Sequence, residues 1–133
     1  MSVYKSSEQL QGVLATLFQR MTDEGLLSAD GHKMRLKINL TDPSVTAILD
    51  LRRDPARVLF TAAPGPFDLE ITLAADTIHR IWTGQAGVRQ SMAAGDLKVK
   101  GNPIRALALR PIFDNAKQVY PAIAAKEGIG AGN

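Results

Sequence analysis

The chain has 133 residues, no cysteine, and a net charge of +3 from sixteen Lys and Arg against thirteen Asp and Glu. Without thiols there are no disulfides, thiolate nucleophiles or cysteine metal sites, and a surplus of three charges with seven scattered aromatics makes neither the basic groove nor the stacking platform of a nucleic-acid binder. A 45% hydrophobic and 22% charged composition is that of a globular chain, and this length suits one domain that hides about 65 to 70% of its unfolded surface.

The N-terminal stretch MSVYKSSEQLQGVLATLFQRM interrupts its apolar residues with charge and Gln, so it matches neither a secretory signal nor a membrane span, and a soluble cytoplasmic protein is expected. Ser6 and Gln9 form a capping-box pattern ahead of Leu10, Val13, Leu14, Leu17, Phe18 and Met21, which recur at helical spacing up to Gly25. Met34, Leu36, Ile38 and Leu40 then alternate with Arg35, Lys37 and Asn39, and Asp42-Pro43-Ser44 turns the chain into a second alternating strand from Val45 to Leu51. VLFTAA reads as a third strand and Phe67, Leu69, Ile71 and Leu73 as a fourth, giving an expected four-strand antiparallel meander.

The period becomes helical in AADTIHRIWTG, with Gly84 as its stop, and a short helix over VRQSMAAG should turn Val88 and Met92 inward. GDLKVKGNP sets a fifth strand, Leu97 and Val99 on one side and Lys98 and Lys100 on the other, between two glycines that permit abrupt turns. Asn102 and Pro103 start a final helix that Pro111 should kink or break near residue 110, leaving either a hinged lid from Ile112 to Tyr120 or two ordinary short helices. The small, polar end of the chain, residues 121–133, reads as a flexible tail. Strands with one apolar and one polar face call for an α+β fold, with helices packed on one side of a mainly antiparallel sheet.

In this order of elements, ITL at 71–73, Thr83-Gly84, Gly95, Leu97-Lys98, Gly101-Asn102, Ala106 and Leu109 resemble the sterol carrier protein type 2 domain, a lipid-binding and lipid-transfer family. The likeness spans about residues 6–120 of a single domain, 1–133. It implies a five-stranded, mainly antiparallel sheet with a hydrophobic cavity between sheet and helices that takes fatty acyl chains, acyl-CoA, sterols or other lipids, isoprenoid intermediates among them, and it brings no catalytic residue and no cofactor. Two departures bear on the cavity's shape: Trp82 stands where many relatives carry a smaller, flexible apolar side chain, and Pro111 interrupts the last helix. The tail lacks the peroxisomal address of some eukaryotic members, as a bacterial cytoplasmic relative would.

Burial of an acyl chain gains about 0.8 kcal/mol per methylene without any specific polar contact. The residues expected to supply that surface are Phe18, Met21, Ile78, Ile81, Trp82, Met92, Ile104, Leu107, Leu109, Ile112 and Phe113, on the helices facing the sheet. Lys98, Lys100, Arg105 and Arg110 could draw a lipid head group or an anionic membrane surface. The two histidines, His32 and His79, have no partners at metal spacing, no nucleophile elbow is present, Asp68 and Glu70 read as surface carboxylates, and GIGAG at 128–132 has no helix behind it. A lipid carrier is therefore the leading expectation. An interaction module with a filled core that assists a partner enzyme is second, and a small acyl hydrolase third.

Overall fold

The structure, a computed structural model, describes residues 2–27, 33–53, 55–61, 65–106 and 109–129. Helix α1 (Ser7–Asp23) starts where Ser6 Oγ accepts from the Gln9 amide at 3.1 Å and Gln9 Oε1 accepts from the Lys5 amide at 2.6 Å, so the reciprocal cap is closed one residue earlier than in the usual box. It buries the six apolar residues its spacing singled out, Leu10 to Met21.

Strands β1 (Arg35–Thr41), β2 (Val45–Asp50), β3 (Arg57–Leu59), β4 (Leu69–Ala74) and β5 (Leu97–Gly101) form one sheet in the order β3-β2-β1-β4-β5. This corrects the meander. β4 does not return beside β3 but pairs parallel with β1, Leu36 against Leu69 and Ile38 against Ile71, while every other pairing is antiparallel. The physical reason lies in burial. β4 buries Leu69, Ile71 and Leu73 and so belongs at the sheet's centre under the helices, whereas β3 has three residues, none of them buried, and serves as an edge.

The resulting register stacks apolar rows across the inner face: Leu49, Leu36 and Leu69; Ala47, Ile38, Ile71 and Val99; Val45, Leu40, Leu73 and Leu97. Phe67 does not extend β4 inward as its period suggested. Its ring lies under the cations of the polar face, 4.8 Å from the Arg35 guanidinium carbon and 5.6 Å from Lys37 Nζ.

Helices α2 (Ala75–Trp82) and α3 (Val88–Ala93) precede β5, and α4 (Pro103–Ala106) and α5 (Arg110–Lys126) follow it. Thr83 and Gly84 end α2, the glycine at φ +80° donating to the Ile81 carbonyl. Gly101 has a stronger requirement. Its φ is +129°, and a Cβ there would collide with the Asp68 carbonyl oxygen where β5 passes the start of β4. The Asn102 side chain then accepts from the Ile104 amide at 2.8 Å, starting α4 within one residue of the strand.

Helix α4 ends at Ala106 and α5 starts at Arg110, so the helix begun at Pro103 is broken near residue 110 as expected; Pro111 itself stands in the first turn of α5, where its missing N–H is no loss. Two other expectations for the C-terminal part change. The expected lid, Ile112 to Tyr120, is the front of a continuous 17-residue helix. The core also extends past residue 120: α5 runs to Lys126 and buries Ile123 and Ala124, and Ile129 beyond it is 6% exposed, so the chain packs well into the expected tail.

Candidate functional site

The inner face of the sheet, α1, α2 and the front of α5 enclose a void of about 10 Å³, roughly the room of one water molecule. Leu36 and Ile38 of β1 and Leu49 of β2 form its floor, Phe18 and Trp82 come from α1 and α2, and Leu109, Ile112, Phe113 and Ala116 come from the start of α5. Every one of these residues is apolar or aromatic. Phe113 alone among them is only partly buried, which sets the front of α5 at the rim.

Trp82 organises the wall. Its ring meets Phe18 edge-on at 6.5 Å and lies tilted against Phe113 at 6.4 Å and Tyr120 at 5.2 Å. Beside Tyr120 the core turns polar. The Tyr120 hydroxyl is hydrogen-bonded to the Tyr4 hydroxyl and lies 2.7 Å from His79 Nδ1, with all three residues buried. Burial holds the His79 pKa below its ordinary value, Asp76 opposing and Arg80 adding to the effect. It pushes the Tyr120 hydroxyl up to about 12 and the Tyr4 hydroxyl up as well, burial again the largest cause. The tyrosines thus keep their protons and the imidazole is neutral, an arrangement satisfied when Tyr4 donates to Tyr120 and Tyr120 donates to His79 Nδ1. The N-terminal segment is fastened to the same helix by Ser2 Oγ and the Val3 amide, which donate to Asp76 Oδ1 at 2.8 and 3.0 Å.

Of the residues expected to meet a ligand, Phe18, Trp82, Leu109, Ile112 and Phe113 come together around the void. Met21, Ile78 and Ile81 are buried in the core without lining it. Met92 and Ile104 are 47% and 76% exposed, so the inward placement of Met92 is corrected: α3 turns Ser91 to the core instead. Leu107 and His32 lie outside the described residues.

The floor residues Leu36, Ile38 and Leu49 were not among the expected contacts although their alternation marks them as inward, and Ala116 follows Ile112 at one helical turn. The cations do not converge on the void: Lys98 and Lys100 project from the polar face of β5, and Arg105 is held by Asp68 at 3.4 Å and the Lys33 carbonyl at 3.3 Å. Asp68 and Glu70 are likewise engaged, with the Arg35 amide and with Asn39 and Lys37. Among the described residues no group of three or more His, Asp or Glu could hold a metal ion, and no helix is long and apolar enough to cross a membrane.

Comparison with known proteins matches residues 14–114 to the model of the SCP-2 sterol transfer family. A protein of Yarrowia lipolytica described as "Fatty acid-binding protein" is 34% identical over 70 residues, 52% of this chain; the chain thus spans about half, 54%, of that curated relative's length. The solved structure "Sterol Carrier Protein 2 from Yarrowia Lipolytica (apo form)" superposes with a TM-score of 0.53 at 26% identity, covering 78% of this chain and 79% of that one. The structure titled "UbiJ-SCP2 Ubiquinone synthesis protein" shares the fold with a TM-score of 0.60 at 18% identity, over 77% of this chain and 93% of its own. With the α+β architecture, the mixed and mostly antiparallel sheet and the matched segment in agreement, the chain belongs to the SCP-2 sterol transfer family.

Proposed function

We propose that this protein is a non-enzymatic lipid carrier that takes a fatty acyl, sterol-like or isoprenoid molecule between its sheet and the helices α1, α2 and α5, and delivers it to a membrane or an enzyme. The observation that carries the reading is the apolar-lined void between those layers, in a chain of this family. The void is too small for a lipid as it stands, so uptake requires the layers to part. The front of α5 is the place for this, because Leu109, Ile112 and Phe113 meet the sheet side through non-directional contacts alone, each worth about 0.1 to 0.2 kcal/mol per atom pair. The relative named as a fatty acid-binding protein supports the ligand class. The reading extends to a cytoplasmic setting and to transient contact with anionic membranes, for which Arg110, exposed next to Leu109 at the void's edge, is a suitably placed cation.

Displacement of a fluorescent fatty acid, combined with native mass spectrometry of the purified protein, tests this. Saturable displacement and a co-purified lipid are expected. The near-filled void favours one other reading, a module that assists a partner enzyme without holding a ligand, and the neighbour titled as a ubiquinone synthesis protein points to quinone metabolism for such a role. Failure of every lipid class to bind, together with a tight complex with a partner enzyme, would replace the carrier by that module.

A further inference from the structure

Trp82 is the sole tryptophan of the chain, is 2% exposed and lines the void, yet its Nε1 has no hydrogen-bond partner among the described residues. A buried N–H without an acceptor forfeits the hydrogen bonds it made to water, and native interiors retain few such groups. Among the described residues no side chain against the ring offers a free acceptor. Phe18 and Phe113 present only carbon, and the Tyr120 hydroxyl is engaged by both Tyr4 and His79. Indole N–H is a donor and nothing else, so whatever satisfies it must bring an acceptor.

We propose that the Trp82 N–H is the polar anchor of the site. It selects amphiphiles that carry a neutral oxygen acceptor, a ketone, ester, quinone or alcohol oxygen, at the buried end of an apolar body. The proposal rests on the carrier reading above and adds to it a rule of selection. The surface of the void is wholly apolar as it stands, so an acceptor at a guest's leading end meets the orphaned donor only where the guest widens the void along the indole. The acceptor must be neutral because no cationic side chain lines the void, so an ionised carboxylate carried that deep would be desolvated without a countercharge. A bare hydrocarbon fills the same space and leaves the donor as it is.

The test uses 2-nonanone and nonane as matched probes, with ¹⁵N-labelled protein whose one indole resonance reports Trp82 directly. The ketone should shift that resonance downfield and the alkane should not. The ratio of ketone to alkane affinity should drop about five- to tenfold from wild type to Trp82→Phe, the size of one hydrogen bond. Taking this ratio cancels the probes' different solubilities, and the wild-type indole shift stands as a readout should the variant fold poorly. Equal shifts with both probes, or an affinity ratio unchanged by the substitution, would overturn the anchor and leave lipid carriage standing. If neither probe binds, the anchor is overturned, and the carrier reading is decided separately by the fatty acid displacement and native mass spectrometry above.

Discussion

Two neighbourhoods meet at Trp82 and are built on opposite principles. Around the void, Phe18, Leu36, Ile38, Leu49, Ile112 and Phe113 present carbon alone. Around Tyr120, three buried polar side chains from the N-terminal segment, α2 and α5 satisfy one another. Apolar contacts are individually weak and indifferent to angle, so one set can be exchanged for another at small cost. A buried hydrogen bond cannot be broken without orphaning its partners. One helix therefore has a deformable front, from Leu109 to Phe113, then a tether where Asn115 Nδ2 donates to the Leu26 carbonyl at 3.2 Å, and a pinned middle at Tyr120. A guest that pushes the front of α5 outward works against a fixed point.

The sharpest way to break this contrast is to empty the void side. Leu49→Ala removes a fully buried floor residue and should cost about 3.5 kcal/mol in denaturant unfolding, the middle of the range for such truncations. It should also give a small apolar probe more room. At a fixed concentration of 2-nonanone the variant is then expected to gain more stability than wild type, about 2.7 kcal/mol once the probe stands at a hundred times its Kd. Equal gains in the two proteins would mean that guests do not enter over Leu49.

The polar side should respond differently. Tyr120→Phe leaves both Tyr4 Oη and His79 Nδ1 without their partner and is expected to cost about 2 to 3 kcal/mol, whereas Tyr4→Phe removes only the end of the chain and should cost about 1 kcal/mol. The double variant should cost less than the sum, because the tyrosines act as one unit. Neither loss should be recovered preferentially by 2-nonanone. Additive losses measured by chemical denaturation, or selective rescue by the probe, would erase the distinction between the two neighbourhoods.

How much of this could be read from sequence depended on what kind of regularity carried it. Alternation identified the inner face of β1 and of β4 proper, so Leu36, Ile38, Leu40, Leu69, Ile71 and Leu73 were legible as core. Alternation says which face a residue takes but not which strand lies beside it, so the parallel pairing of β1 with β4 was hidden. Helical spacing served α1 well over 17 residues and failed for Met92 and Ile104, which sit on helices of six and four residues, too short for a period to define a side. Five of the expected contacts reached the void because they lie on helices that face the sheet, whereas its floor lies on strands, where alternation marks an inward face without distinguishing packed core from cavity wall. The polar cluster left no local trace at all: His79 is 41 residues from Tyr120 and Tyr4 is 116, so only the fold brings them together.

The smallest expected effect is a pH dependence that only the pinned side can supply. Burial sets the pKa of His79 below its ordinary value, about 6.5, and the net effect survives the opposing pull of Asp76. As pH falls through that value the unfolded chain takes up a proton that the folded protein still refuses. The unfolded state then holds more protons, so stability falls with falling pH, and the loss is complete once the depressed folded value is passed. Above about pH 7 the residue should contribute no slope. Asp50, whose bond to Arg52 holds it at about 2, loses its contribution only below the ordinary carboxylate range near 4 and stays outside this window. In the tautomer whose Nδ1 accepts from Tyr120, protonation would also put a hydrogen on that nitrogen and force the donor order of the three groups to reverse. His79→Gln can still accept from Tyr120 through its amide oxygen but cannot titrate, so unfolding free energies between pH 7 and pH 5 should slope in wild type and lie flatter in the variant. Equal slopes would place the titrating group elsewhere and remove the imidazole from the fixed point on which α5 turns.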